Sequence, residues 1–115
     1  MRFAIIICVT LLLGLYATQA HALNGEQLLD GLRIAENPVT QSSLQAGLSV
    51  GFVSGVASVA NSAGTLCASS TLSAQQMAAV VKKYLEDNPA TWNLPADSSV
   101  IQALQIAFPC PRNRR

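Results

Sequence analysis

Apolar side chains recur at the three- and four-residue spacing of an α-helix along most of this chain. Four segments show this pattern, at about residues 24–36, 42–60, 73–88 and 95–108. Pro38, Pro89 and Pro109 stop three of them, because the residue before a proline is pushed out of the α region. No segment of useful length alternates apolar and polar residues as a half-buried strand does. The pattern predicts an all-α fold, a small four-helix bundle.

The predicted helices begin and end at residues suited to those positions. Asn24 with Gln27, and Ser73 with Gln76, have the spacing of a capping box, in which each side chain bonds the other residue's backbone N–H. Gly64 follows the second segment and suits a left-handed helix end. We therefore expect the first helix to start at Asn24 and the third at Ser73.

Each predicted helix has an apolar stripe that we expect to face the core. In the first helix the stripe is Leu28, Leu29, Leu32 and Ala35. In the second it is Leu44, Leu48, Phe52, Val56 and Val59. In the third it is Met77, Val80, Val81, Tyr84 and Leu85, and in the fourth Val100, Ile101, Leu104, Ala107 and Phe108.

Three glycines follow one another at intervals of four in the second predicted helix, at Gly47, Gly51 and Gly55. A helical glycine costs about 0.5–1 kcal/mol relative to alanine, so three at this spacing suggest a packing reason. One interpretation is close helix packing inside the domain, which we favour. The other is a contact between two copies of the chain, since a self-complementary patch suits a two-fold dimer.

The N-terminus has the three parts of a secretory signal peptide. Arg2 is the positive region, residues 3–16 are the apolar region, and Ala20-His21-Ala22 fits the cleavage rule. The apolar stretch is shorter than the roughly 20 residues that a membrane-spanning helix needs. We expect residues 1–22 to be a cleaved signal peptide, with cleavage after Ala22 or, as the neighbouring possibility, after Ala20. Residues 23–115 are then one exported domain with no stable membrane insertion.

The charged and catalytic residue types argue for a protein that works by binding. Without Arg2, six cationic and six anionic side chains remain, so no charged field favours nucleic acid. The one histidine, His21, leaves with the signal, and the G-x-S-x-G sequence at residues 47–51 lies in a helical pattern without a base. We therefore expect no catalytic site, no metal site and no cofactor.

Two cysteines remain after the signal, because Cys8 lies within it. In an oxidising compartment Cys67 and Cys110 most simply form one disulfide. Cys67 precedes the third helix and Cys110 follows the fourth, and two helices joined by a short link pack antiparallel, so their outer ends meet. Closing a loop of this length stabilises the fold by about 4 kcal/mol in the chain-entropy model.

The connection at residues 88–95 is the leading candidate for a binding loop. It carries the single tryptophan, and its candidate contact residues are Asn88, Thr91, Trp92 and Asn93. A tryptophan on a loop can anchor a partner, or it can fold down over the helical core, which we favour. The polar segment 63–70 is the rival loop.

Several stretches together resemble the Rap/Tai immunity proteins of Gram-negative bacteria. They are GFVSGVA at 51–57, Cys67, VVKKYLEDNP at 80–89, Ala103-Leu104 and FPCP at 108–111. The resemblance covers about residues 25–111. It implies a periplasmic, all-helical protein, often a homodimer, that blocks a peptidoglycan amidase delivered by a type VI secretion system. It also implies that a loop plugs the amidase active site.

A second hypothesis uses the glycine-rich helix at 42–60. No formal charge occurs between Glu36 and Lys82, so this segment could associate with a membrane or serve a structural role in the envelope. Serines interrupt its apolar character, which places it below a convincing membrane-spanning helix.

Overall fold

The computed structural model describes residues 22–69 and 71–111, and within them the chain is helical. The helices are α1 (Gly25–Glu36), α2 (Leu44–Ser62), α3 (Ala74–Asp87) and α4 (Ala96–Ala107), with a 3-10 turn at Pro89–Thr91. The predicted all-α, four-helix fold is confirmed. The predicted signal peptide lies outside the described residues, except for Ala22.

The helix starts are capped as the sequence predicts. The Asn24 side chain accepts a hydrogen bond from the Gln27 backbone N–H at 2.9 Å, and Gln27 Oε1 accepts from the Asn24 N–H at 3.1 Å. Ser73 and Gln76 form the same reciprocal pair at 3.1 and 2.8 Å. Gly64 has a φ of 76°, which confirms the left-handed end of α2.

The core lies between the helices and is built largely from the predicted stripes of α1, α3 and α4. Its largest fully buried apolar side chains in these helices are Leu28, Leu29, Leu32, Val81, Leu85, Val100 and Leu104. Met77, Val80, Tyr84, Ile101 and Phe108 pack at its edge. Ala107 differs from the prediction: it is the last residue of α4 and lines a surface groove beside α3.

The second helix turns a different face to the core from the one predicted. Its buried residues are Ala46, Ser49, Val53, Ala57 and Ala60. Leu44, Leu48 and Val59 are instead 79, 64 and 71% exposed. Because α2 is apolar around most of its circumference, its periodicity selects no single face. The prediction of a core stripe is therefore wrong for Leu44, Leu48 and Val59, whereas Phe52 and Val56 are partly buried and pack at the edge of the core. The fully buried side of α2 consists of small side chains and Val53, and the helix packs against α1, α3 and α4.

The close contact between helices occurs at Gly31 of α1, opposite Ser49 of α2. A Cβ atom at Gly31 would overlap the Ser49 side chain, whose hydroxyl donates to the Gln45 carbonyl at 2.9 Å. A Cβ atom at Gly47, Gly51 or Gly55 would find no described atom within 4 Å. The interpretation of these three glycines as internal packing positions is therefore wrong, and the contact between copies stays a prediction.

The predicted disulfide is confirmed. Cys67 and Cys110 are bonded, with their Cα atoms 4.9 Å apart. The bond joins the segment before α3 to the segment after α4, and these two helices pack against each other. It therefore closes the outer end of a helical hairpin.

Gly31→Ala is expected to lower the free energy of unfolding by about 1–3 kcal/mol, because the added methyl group must displace Ser49. Gly47→Ala is the matched control at a position that is open in the monomer, and in the dilute, monomeric protein it should raise that free energy by about 0.5–1 kcal/mol. Urea unfolding measures both. In a Ser49→Gly background, Gly31→Ala should lower the free energy of unfolding by much less, because the side chain that it would displace is gone. Equal effects of Gly31→Ala in the two backgrounds would contradict the contact.

Candidate functional site

The loop between α3 and α4, residues 88–95, is held by the start of α1. Gly25 N–H donates to the Leu94 carbonyl at 3.1 Å, and Glu26 N–H donates to the Trp92 carbonyl at 3.1 Å. In return Ala96 N–H donates to the Leu23 carbonyl at 2.9 Å. The first N–H groups of a helix have no partner inside the helix. The starts of α1 and α4 therefore supply each other's missing acceptors, and the loop backbone is fixed between them.

Gly25 lets the loop lie directly on the first turn of α1. A Cβ atom at this buried position would come within 2.9 Å of the Thr91 carbonyl oxygen and 3.1 Å of the Trp92 Cα atom. Only a residue without a side chain fits such an approach without displacing the loop. The α3–α4 loop is thus part of the packed domain.

Trp92 folds down over the end of α3, as favoured from the sequence. Its indole Nε1–H donates to the Leu85 carbonyl at 2.7 Å, and its ring packs against the core. A partly buried tryptophan that satisfies its own N–H and a helix-end carbonyl is well explained by the fold. Trp92 therefore stabilises the loop from the side that faces the core.

The other candidate contact residues divide into two kinds. Asn88 Nδ2 donates to the Tyr84 carbonyl at 2.8 Å, and the Thr91 hydroxyl donates to the Asn88 carbonyl at 2.8 Å. Asn93 is exposed, and within the described part of the chain its side chain forms no hydrogen bond. Binding of a partner by these residues stays a prediction, with Asn93 the residue most open to contact.

Leu94 is the loop residue that sequence reasoning did not single out. It is 46% exposed and follows Asn93, so it offers an apolar contact beside an amide. A lone large aliphatic residue between Asn93 and Pro95 was the available signal. Asn93 and Leu94 are therefore adjacent exposed residues of the loop, whose other exposed residues are Pro89, Ala90 and Pro95.

The rival segment, 63–70, is also tied into the fold over its described residues. The Asn61 side chain forms two hydrogen bonds with the Ala68 backbone, at 3.2 and 3.3 Å. Gln105 Nε2 donates to the Thr65 carbonyl at 2.8 Å, and Leu66 is buried. These contacts hold the start of the disulfide-linked segment against α2 and α4, which accounts for its polar composition structurally.

A second exposed surface runs along α2, which we call the α2 face. It consists of the exposed residues Leu44, Gly47, Leu48, Gly51, Gly55 and Val59, together with the partly buried Phe52 and Val56. Grooves of about 500 and 510 Å³ flank it, and Phe52 lines both. By length and composition alone α2 is a helix that could cross a membrane, although core helices of soluble proteins share these properties.

A cluster of ion pairs connects α1 to α3. Lys82 Nζ lies 2.9 Å from Glu36 Oε2 and 3.1 Å from Glu86 Oε1, while Arg33 lies 3.6 Å from both Asp30 and Glu86. Hydrogen bonds to Glu36 and then to Glu86 raise the pKa of Lys82 above its usual value of 10.5, against the opposing effect of partial burial. The cluster stabilises the packing of α1 on α3.

The described residues contain no group of three or more histidine, cysteine, aspartate or glutamate side chains placed to hold a metal ion. The G-x-S-x-G sequence lies in the middle of α2, and its Ser49 is buried against Gly31. The strand-turn-helix setting that exposes a nucleophile in this motif is therefore not the setting of Ser49.

The fold and its surfaces are those of a small, disulfide-closed helical domain whose exposed features suit contact with another protein. The family model of Rap1a immunity proteins matches residues 24–110. This match covers most of the chain, so the chain belongs to the family of Rap1a immunity proteins, and the Rap/Tai resemblance is confirmed. A comparison with curated proteins found no match.

Lys82→Met is expected to lower the free energy of unfolding at neutral pH by about 1 kcal/mol, because Lys82 loses two carboxylate partners. The pKa of Lys82 is raised in the folded state, so its contribution is complete below 10.5 and is lost as the pH rises through the folded-state value. The difference between wild type and variant should therefore shrink above that pH in urea unfolding.

Lys83→Met is the matched control for Lys82→Met. Lys83 is 78% exposed and pairs only with Asp87 among the described residues, at 3.0 Å, whereas Lys82 is 17% exposed. Exposed pairs contribute little to stability, so this variant should change unfolding by less. Equal losses in the two variants at neutral pH would contradict the role of the Lys82 cluster.

Proposed function

We propose that this chain is a periplasmic immunity protein that binds a type VI secretion peptidoglycan amidase and occludes its active site. The family match over residues 24–110 carries the proposal, because an immunity protein acts on a toxic effector protein as its inhibitor. The choice of an amidase as the effector comes from the Rap/Tai resemblance. In this proposal the chain is an inhibitor and carries out no reaction of its own.

The α3–α4 loop suits the role of a plug. Its backbone is fixed by hydrogen bonds from Gly25 and Glu26, and Trp92 supports it from the core side. A loop that is already ordered loses little conformational freedom on binding, so more of its contact energy appears as affinity. Asn93 would offer an amide donor and acceptor to the amidase groove, and Leu94 an apolar contact.

Export from the cytosol belongs to the same proposal. The hydrogen bonds that fix the loop involve no residue before Leu23, whose carbonyl accepts from the Ala96 N–H. Cleavage after Ala22 or Ala20 therefore keeps all of these bonds. An oxidising compartment also suits the Cys67–Cys110 disulfide. We further expect the mature protein to form a homodimer, as the family resemblance implies.

Intact-mass spectrometry of the protein from an osmotic-shock fraction should give a chain that begins at Leu23 or at His21. Ala20→Arg combined with Ala22→Arg should block processing, because the cleavage site needs small residues. That variant should remain in the membrane fraction at full length. A wild-type chain that keeps residue 1 and stays in the cytosol would contradict the export proposal.

Asn93→Arg should weaken binding to the cognate amidase by at least about tenfold, because a long charged side chain at the tip of a plugging loop has no space in a fitted groove. The measurement is titration calorimetry against a purified type VI peptidoglycan amidase that the wild-type chain binds, with peptidoglycan cleavage as the second readout. Ser62→Arg places the same side chain at the exposed end of α2 and is the matched control.

Two results would contradict different parts of this proposal. Unchanged affinity of Asn93→Arg would exclude the α3–α4 loop as the contact. Absence of binding between the wild-type chain and the type VI peptidoglycan amidases of its host, together with full cleavage of peptidoglycan by them, would exclude amidase inhibition. Thermal unfolding of each variant establishes that it is folded.

A membrane-associated or structural envelope protein is the second candidate. The exposed, uncharged surface of α2 and its suitable length favour it. Extraction separates the two: membrane association requires detergent for release, whereas an immunity protein of the proposed kind appears in the osmotic-shock fraction.

A further inference from the structure

The α2 face is an exposed apolar surface without formal charge. Leu44, Leu48 and Val59 extend from it, and no acidic or basic residue occurs between Glu36 and Lys82. The opposite side of α2 is buried, because its residues pack against α1, α3 and α4. Phe52 and Val56 pack partly against the core, whereas Leu44, Leu48, Val59 and the three glycines of this face remain exposed in the described part of the monomer.

Two parallel rows of residues shape this face. Leu44, Leu48, Phe52 and Val56 are spaced by four and form a ridge. Gly47, Gly51 and Gly55 are also spaced by four, and with open space above each of them they form a shallow channel beside the ridge. Helices pack by placing such a ridge of one helix in the channel of another, and glycines allow the backbones to approach closely.

When α2 is paired with an antiparallel copy of itself, the ridge of each helix lies opposite the channel of the other. Reversal about the midpoint between Gly51 and Phe52 brings residue 48 opposite 55, residue 47 opposite 56, residue 51 opposite 52 and residue 44 opposite 59. Each glycine is then opposite a large apolar residue. The face is thus complementary to its own antiparallel copy, which is the property of a two-fold interface.

We propose that the α2 face docks onto the α2 face of a second copy of this chain, antiparallel, with the two-fold axis near Gly51 and Phe52. This inference names the interface for the self-association proposed above and does not depend on the amidase. Leu48 of one protomer fills the space above Gly55 of its partner, and the symmetric contact repeats it. Burial of the leucines, Phe52 and Val59 provides the driving force.

Neither a membrane nor an unrelated protein accounts for this arrangement as well. A helix that lies on a bilayer carries lysine or arginine on its polar side, and α2 carries none. An unrelated partner gives no reason for each glycine of α2 to lie opposite a large apolar residue of an antiparallel copy of the same helix. A second copy explains both this pairing and the three helical glycines.

The test exchanges the large and the small residue of one pair. Gly55→Leu should weaken the dimer by at least about tenfold, because the new leucine would collide with Leu48 of the partner subunit, which otherwise fills the space above Gly55. Leu48→Ala should also weaken it, because the side chain that fills the channel is lost. The double variant Leu48→Ala/Gly55→Leu should restore most of the affinity, since each new leucine faces a small residue again.

Sedimentation equilibrium of the oxidised, processed protein measures the dimer constant, and circular dichroism checks the fold. Gly55 lies in open space and Leu48 is largely exposed, so neither change disturbs the core. Ala79→Leu, at an exposed position of α3, is the matched control and should leave the constant unchanged.

The outcomes separate the parts of the inference. A wild-type chain that is monomeric at about 100 µM overturns self-association and this interface together. A dimer unaffected by Gly55→Leu overturns only the choice of face, and single variants that weaken the dimer without recovery in the double variant overturn the antiparallel pairing. Binding of the wild-type protein to lipid vesicles, lost in Leu48→Ala, would assign the face to a membrane instead.

Discussion

The structure depends on the way two helix starts complete each other at one end of the bundle. The first N–H groups of α1 donate to carbonyls of the loop before α4, and the first N–H group of α4 donates to the carbonyl of Leu23, two residues before α1. These polar groups would otherwise need water or side chains. Because Gly25 has no side chain, the loop lies directly on α1 and its shape is fixed by backbone bonds. The conformation of the candidate binding loop therefore follows from the way the starts of α1 and α4 meet.

Local signals in the sequence were sufficient for much of this fold. Capping boxes at Asn24 and Ser73, and the stripes of α1 and α3, act within a few residues, so a linear pattern reveals them. The orientation of α2 was not accessible in this way, because a helix that is apolar on most sides gives no preferred face. Its orientation follows instead from the contact of Gly31 with Ser49, two residues from different helices. The hydrogen bonds between α1 and the loop also join residues far apart in the sequence. The sequence therefore did not reveal that Asn88, Thr91 and Trp92 form hydrogen bonds within the domain.

Small residues have different structural roles on the two sides of α2. Toward α1, Ser49 and Gly31 bring two backbones together within the monomer. On the other side, Gly47, Gly51 and Gly55 lie in open space, where a helix would ordinarily favour alanine. Selection for stability of the isolated domain does not explain those three residues. The α3–α4 loop and the α2 face thus represent two distinct surfaces, and exposed positions of each, such as Asn93 and Leu48, can be altered without changing the core.

The disulfide has a consequence for when this protein becomes stable. Cys67 and Cys110 are both exposed, and they close a loop that includes α3 and α4. While the thiols are reduced, the chain lacks about 4 kcal/mol of stabilisation, a large share of the total for so small a domain. Under the proposed export, a newly made chain in the reducing cell interior would thus be easier to unfold and to pass through a translocation channel. Oxidation on the far side would then lock the completed hairpin and make the return to an unfolded chain improbable.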